Sequence, residues 1–237
     1  MSILKLENVR FRWEGQSDWQ IDIPAFSVEQ GEKVFLKGAS GSGKSTLLSL
    51  IAGINLASSG TLQLCETELT ALKGSQRDAF RADNIGYIFQ QFNLLPYLSV
   101  LDNVLLPCRF SSLRKQRVSG DLAQEAKRLL LALDLPETCL TKPVTALSIG
   151  QQQRVAAARA LIGKPALLLA DEPTSALDFD SRNAFIELLM KECEHADSSL
   201  LFVSHDHTLE SHFDRSVSLT EINGASLSGT ATHTEGV

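Results

Sequence analysis

The segment Gly38-Ala39-Ser40-Gly41-Ser42-Gly43-Lys44-Ser45 constrains this chain more than any other. It has the form GxxxxGK[ST], a glycine-rich turn whose backbone N–H groups can converge on phosphate oxygens. A compact strand, KVFLK at 33–37, precedes it, and a run read as a buried helix at 46–54, closed near Gly53, follows it. That order sets the positive end of the helix dipole on a bound anion. The phosphate-facing candidates are therefore Gly38, Ser40, Gly41, Ser42, Gly43, Lys44, Ser45 and Thr46. Lys44 is expected to reach β- and γ-phosphates, and Ser45 to ligate Mg²⁺.

A second element answers the first. Residues 166–170, ALLLA, form an apolar strand that delivers Asp171 and Glu172 at its carboxyl end. Asp171 there suits a Mg²⁺-holding carboxylate, and Glu172 can polarise an attacking water. Helices alternate with continuously apolar strands, which implies a parallel sheet covered on both faces. The expected helices lie at about 151–162 and 181–193, and a further strand at 200–203.

The flanking regions differ in character. Residues 3–13 and 19–28 alternate loosely, with Gly15 and Pro24 as punctuation, and read as antiparallel strands. Residues 122–133, LAQEAKRLLLAL, read as an amphipathic helix. Pro96, Pro107, Pro136 and Pro143 break the surrounding region into short pieces. The expected architecture is thus α/β. It has a phosphate-loop core with a parallel sheet and an N-terminal antiparallel β subdomain (1–91 and 151–223), an inserted α-helical subdomain (92–150) and a polar tail (224–237).

Composition closes off other classes. A net charge of −6 argues against a broad nucleic-acid footprint. The basic stretch at 109–117, RFSSLRKQR, is read as a solvated loop or helix start. The four cysteines carry no CxxC pair, which fits free thiols better than a zinc site or a disulfide framework. The first residues alternate and carry charge, unlike a signal peptide. The longest nearly apolar stretch, 47–57, is far shorter than the roughly 18 residues that cross a bilayer. Any membrane role is expected to run through a partner, without direct insertion.

Four further segments carry a family resemblance. Leu147-Ser148-Ile149-Gly150-Gln151-Gln152-Gln153-Arg154 resembles the LSGGQ-type signature of ABC ATPases. Asp171-Glu172-Pro173-Thr174-Ser175-Ala176-Leu177-Asp178 resembles their second nucleotide motif running into the D-loop. Gln90 falls at the Q-loop glutamine, and His205 at the switch histidine. The resemblance covers about residues 3–222. It implies an ATPase working as a homodimer or with a paired ATPase subunit, each ATP lying between the phosphate loop of one subunit and the signature of the other. Ser148, Gly150 and Gln151 would then bind nucleotide in trans, Asp178 would cross the seam, and Trp13 would stack on adenine. Gln90 would join Ser45 and Asp171 around Mg²⁺, while Lys44, Glu172, Gln90 and His205 form the catalytic set. Ile149 stands where the signature usually has glycine, which bears on the tightness of the trans contact. Position after a strand favours the switch role for His205 over a metal site, and His207 and His212 are expected to face solvent.

Residues 85–107, IGYIFQQFNLLPYLSVLDNVLLP, resemble the Q-loop region of the LolD and MacB group, whereas Ser175-Ala176 departs from the Gly-Asn often found there. The group implies a cytoplasmic subunit, peripheral on the membrane through permease partners. Its members move lipoproteins or peptides, or transmit a mechanical signal. Phe92 to Asn103, with Leu94, Leu95, Tyr97 and Leu98, would grip a permease. The alternatives are the ATPase of an amino-acid importer, a soluble ABC clamp acting on nucleic acid, and a nucleotide-binding regulator without turnover.

Overall fold

Alternation of buried and exposed residues makes two long opening strands in this computed structural model, which describes residues 1–225. β1 (Ser2–Phe11) and β2 (Ile21–Glu29) pair antiparallel, Leu4 opposite Val28 and Phe11 opposite Ile21. Pro24, expected to punctuate, lies inside β2. It is tolerated because β2 is an edge strand, where a missing N–H breaks no ladder bond. β3 (Lys33–Lys37) leads through the glycine-rich turn into α1 (Lys44–Ile51), which stops earlier than expected, before the left-handed Gly53. β4 (Ser59–Leu64) and β5 (Thr67–Glu68) complete a four-stranded sheet of order β2-β1-β4-β5.

The chain then crosses between layers. α2 (Gly74–Asn84), absent from the sequence reading, has no buried residue, so the apolar periodicity that announces a helix is missing. β6 (Ile85–Ile88) follows. α3 (Val100–Phe110), α4 (Ser112–Arg117) and α5 (Leu122–Ala132) follow in turn. Pro107 does not break α3: Val104 and Cys108 are buried on either side, and packing outweighs one lost backbone bond. α6 (Ile149–Leu161), β7 (Leu167–Asp171), α7 (Phe179–Ala196), β8 (Ser199–Ser204), β9 (Arg215–Ser218) and α8 (Leu219–Ile222) finish the described chain. The expected polar tail falls almost wholly outside the described residues.

β6, β7, β8, β3 and β9 form, in that order, a parallel sheet. Its side chains alternate between two cores. Leu168, Ala170, Leu200, Phe202 and Phe35 face the helical region, while Leu167, Leu169, Leu201, Val203, Val34 and Leu36 face the antiparallel sheet. The strands had to be apolar on both faces, because neither face meets water. All four cysteines are free. Among the described residues no helix is long and apolar enough to cross a membrane.

The basic stretch at 109–117 corrects its reading. Arg114 is buried and donates to the carbonyls of Ile162 (2.8 Å), Ala160 (2.5 Å) and Ile85 (3.4 Å). Burial pulls its pKa down to about 10. It ties α4 to the end of α6 and to the first residue of β6.

Candidate functional site

Neighbouring strands of a parallel sheet bring their carboxyl ends together, so residues far apart in sequence meet at one rim. β3 delivers the glycine-rich loop there, β7 delivers Asp171, β8 leads to His205 and β6 leads to Gln90. A pocket of about 290 Å³ is lined by Trp13, Gln20, Ser40, Gly41, Gly43, Lys44, Ser45, Thr46, Gln90, Asp171 and Glu172. Gln20 was missed by the sequence reading: it belongs to no motif, and only the β1–β2 connection sets it beside Gly43.

The loop is shaped by its glycines. Gly43 caps α1 at φ 97°, a left-handed conformation that L side chains rarely adopt. A Cβ on Gly38 would lie 2.7 Å from Ser42 Oγ, so the curl closes only around hydrogen. Among the described residues Ser42 Oγ, itself buried, has no hydrogen-bond partner, which leaves it a donor for an anion in the cradle. Lys44, 6 % exposed, donates from Nζ to the carbonyls of Gly38 (2.8 Å) and Ala39 (2.9 Å) and lies 3.3 Å from Glu172 Oε1. The two carbonyls and the carboxylate fix the direction of the buried ammonium.

The carboxylates are equally constrained. Burial pushes the Asp171 pKa up and the neighbouring Glu172 charge adds to this, while a Ser45 hydrogen bond and Lys44 pull it down. Glu172 adopts φ 44°, and its N–H donates to Val203 O at 2.9 Å. Left-handed backbone at a non-glycine residue costs about 1–3 kcal/mol and persists only where the surroundings enforce it. The turn aims Glu172 Oε2 at His205 Nδ1, 3.2 Å away. His205 is 63 % exposed. His207 is exposed, as expected, and pairs with Glu210, whereas His212 is only half-exposed. Trp13 stands partly exposed at the pocket edge, its ring 5.0 Å from Phe11 at 82°. Its neighbour Trp19 is covered by Arg12 at 4.9 Å.

The signature residues are elsewhere. Ser148, Gly150 and Gln151 line a separate concavity of about 270 Å³ with Leu177 and Ser181. Ser148 caps α6: its Oγ accepts from Gln151 N–H (3.3 Å), and Gln151 Oε1 accepts from Ser148 N–H (3.0 Å). Asp178 caps α7 without the reciprocal bond: its Oδ1 accepts from Ser181 N–H (3.0 Å) and its Oδ2 from Ser181 Oγ (2.8 Å). Ile149 sits in the first turn of α6, is 55 % exposed and has ordinary helical backbone, so its branched side chain strains nothing there.

A model of the ABC transporter family matches residues 21–175. The chain belongs to that family. It is 40% identical over 196 residues to the lipoprotein-releasing system ATP-binding protein LolD of Hydrogenovibrio crunogenus, covering 83% of each chain. It is 41% identical over 197 residues to the macrolide export ATP-binding/permease protein MacB of Campylobacter jejuni, a match spanning 83% of this chain and 30% of that one. The fold superposes on a dimeric ATP-binding cassette in a post-hydrolysis state bound to ADP and Pi, with TM-score 0.80 and 33% identity, covering 91% of this chain and 93% of that one. The chain is thus an ATP-binding, ATP-hydrolysing subunit of an ABC transporter, similar to LolD and MacB.

Proposed function

We propose that two such chains, or this chain and a paired ATPase, close around two ATP molecules and so drive a permease of the LolD or MacB kind from the cytoplasmic face of the membrane. The observation that carries this reading is the convergence of Lys44, Ser45, Asp171 and Glu172 in one pocket, with His205 on Glu172. The loop N–H groups and Lys44 would hold the β- and γ-phosphates, and Trp13 would stack on the adenine. Ser45 and Asp171, which share a hydrogen bond, offer two hard oxygens, and Gln90 a third. That donor set suits Mg²⁺, which is held by few protein oxygens together with phosphates. When bound, Mg²⁺ supplies charge neutralisation at the β- and γ-oxygens.

The chemistry is transfer of the γ-phosphoryl group to water. The water oxygen bonds to phosphorus, the bond to the β-phosphate oxygen breaks, and a water proton leaves toward Glu172 and ends on the products. A γ-phosphate in the cradle competes with Glu172 for Lys44, and a carboxylate released from Lys44 can turn to a water beside the phosphate. His205 keeps that carboxylate on the γ-phosphate side. Ser148, Gly150 and Gln151 of the other subunit would close the pocket, with Asp178 at the seam. Since the chemistry sits in the half contributed by one chain, closure is the step that a permease can use.

An apolar groove of about 480 Å³ supports the permease reading. It runs between Asp78 and Arg81 of α2, Tyr87 of β6 with Phe89 just after it, and Leu106 and Phe110 of α3. Of the residues expected to grip a partner, Asn93 lines the groove, Tyr97 is exposed, and Leu94, Leu95 and Leu98 are half-buried. The test is purification of Glu172→Gln complexes from detergent-solubilised membranes with ATP. A permease with a large extracytoplasmic domain is expected. A compact permease with a solute-binding protein would move the reading to import, and soluble or nucleic-acid partners alone would sink it.

A further inference from the structure

Gln90 occupies the second position of a tight turn. Phe92 N–H donates to Phe89 O at 2.9 Å, which closes the turn around Gln90 and Gln91. The chain then does something costly: Phe92 and Asn93, neither of them glycine, both adopt left-handed backbone, at φ 58° and 49°. Such a pair turns its carbonyls away from any regular ladder and leaves them needing donors.

One side chain supplies both. Arg159, near the end of α6, donates from Nη2 to Phe92 O (2.5 Å) and from Nη1 to Asn93 O (2.7 Å). It is 8 % exposed, and it makes no ion pair among the described residues. A guanidinium takes this role because its planar fork can serve two acceptors at once, whereas an ammonium is a point charge without that fixed geometry. Its own helix is held against the sheet. α6 rests on β6 so closely that a Cβ on Gly86 would lie 2.3 Å from Ala160 O, and Arg114 ties the carbonyls of Ala160 and Ile162 to that of Ile85 at the start of β6. The same helix begins at the signature, with Ser148 as its cap.

We propose that Arg159 is a positioning residue for hydrolysis: it pins the far side of the Gln90 turn to the signature helix, so that Gln90 holds its place in the phosphate pocket only while α6 is seated. This rests on the reading of Gln90 as a pocket ligand. Arg159 touches neither nucleotide nor metal and acts through backbone carbonyls. Loss of the clamp lets the two left-handed residues relax and withdraws the glutamine, with little change at the phosphate loop itself.

The experiment is a double-mutant cycle on the full chain, reading phosphate release against ATP concentration, with thermal melting as the check on folding. Arg159→Met is expected to lower kcat about tenfold and to leave the KM for ATP within about twofold. Arg159→Lys, which reaches one carbonyl, is expected to recover part of the loss. Gln90→Ala is expected to lower kcat to a similar degree, and Arg159→Met in that background to lower it no further. Independent, multiplicative losses would overturn the proposal, as would an Arg159→Met protein with unchanged kcat. If Gln90→Ala is fully active while Arg159→Met is slow, the reading of Gln90 has failed and the proposal falls with it. Should Arg159→Met melt below the assay temperature, Arg159→Lys carries the same cycle.

Discussion

The phosphate pocket and the signature face are both built on the N-terminal end of a helix, yet they are completed to different degrees. At the start of α1 the loop backbone, a buried lysine and the two carboxylates at and just after the end of β7 converge within one chain. At the start of α6 the first-turn N–H groups are partly satisfied by the Ser148–Gln151 capping box, and the charged residues lining the surrounding concavity, Asp134 and Arg154, pair with each other. On the proposed reading, the reacting groups belong to one half and the closing surface to the other. A motor made this way can bind ATP in one chain and still make hydrolysis wait for a second.

The largest effect that would test this contrast lies in the pocket. Lys44→Ala removes the cation that meets both the loop carbonyls and Glu172, and phosphate release is expected to fall by a factor of about 100 or more. Slow turnover that ignores this change would point to a regulator. Ser148→Arg should be comparably inactive, because it fills the closing surface, while binding of ATP to the single chain survives. A mixture of the two inactive proteins is the sharper experiment. Random exchange leaves one intact composite site in half of the dimers, so activity should return to about a quarter of the parent level. A mixture as inactive as its components would break the trans reading.

Smaller effects sharpen the comparison. The raised pKa of Asp171 means that folding favours its protonated form, so the charged carboxylate opposes stability at neutral pH. The folded state binds the proton more tightly than the unfolded one. Stability contributed by this group is therefore fully present below the unfolded carboxylate pKa and lost as pH rises through the folded value. Asp171→Asn should raise the melting temperature of the nucleotide-free protein by about 1–2 °C at pH 7, with the difference fading toward acid pH, while hydrolysis is lost. The smallest effect is expected at Ile149. Its side chain faces solvent on an ordinary helical backbone, so Ile149→Gly should change kcat less than about twofold and cost about 0.5 kcal/mol of stability in urea unfolding. A large gain in kcat would show that the third signature position does limit closure.

Much of the site was legible from residue order, because its chemistry depends on short local patterns. A glycine-rich turn between strand and helix, or an apolar strand ending in Asp171-Glu172, carries its meaning within a dozen residues. The parallel sheet was legible for the same reason: strands apolar on both faces cannot sit at a surface. Tertiary structure alone decided what depends on neighbours distant in sequence. Arg114 and Arg159 look like ordinary surface cations, yet both are buried donors to carbonyls that only the fold brings near. Pro107 should end a helix, but packing on both sides holds it straight through. α2 carries no apolar stripe because none of its residues is buried, and Gln20 reaches the pocket by the path of the β1–β2 connection. Local patterns determine which groups can react. Burial and crossing of the chain determine which of the remaining charges hold those groups in place, since a charge's partner is set by its surroundings and not by its position in the chain.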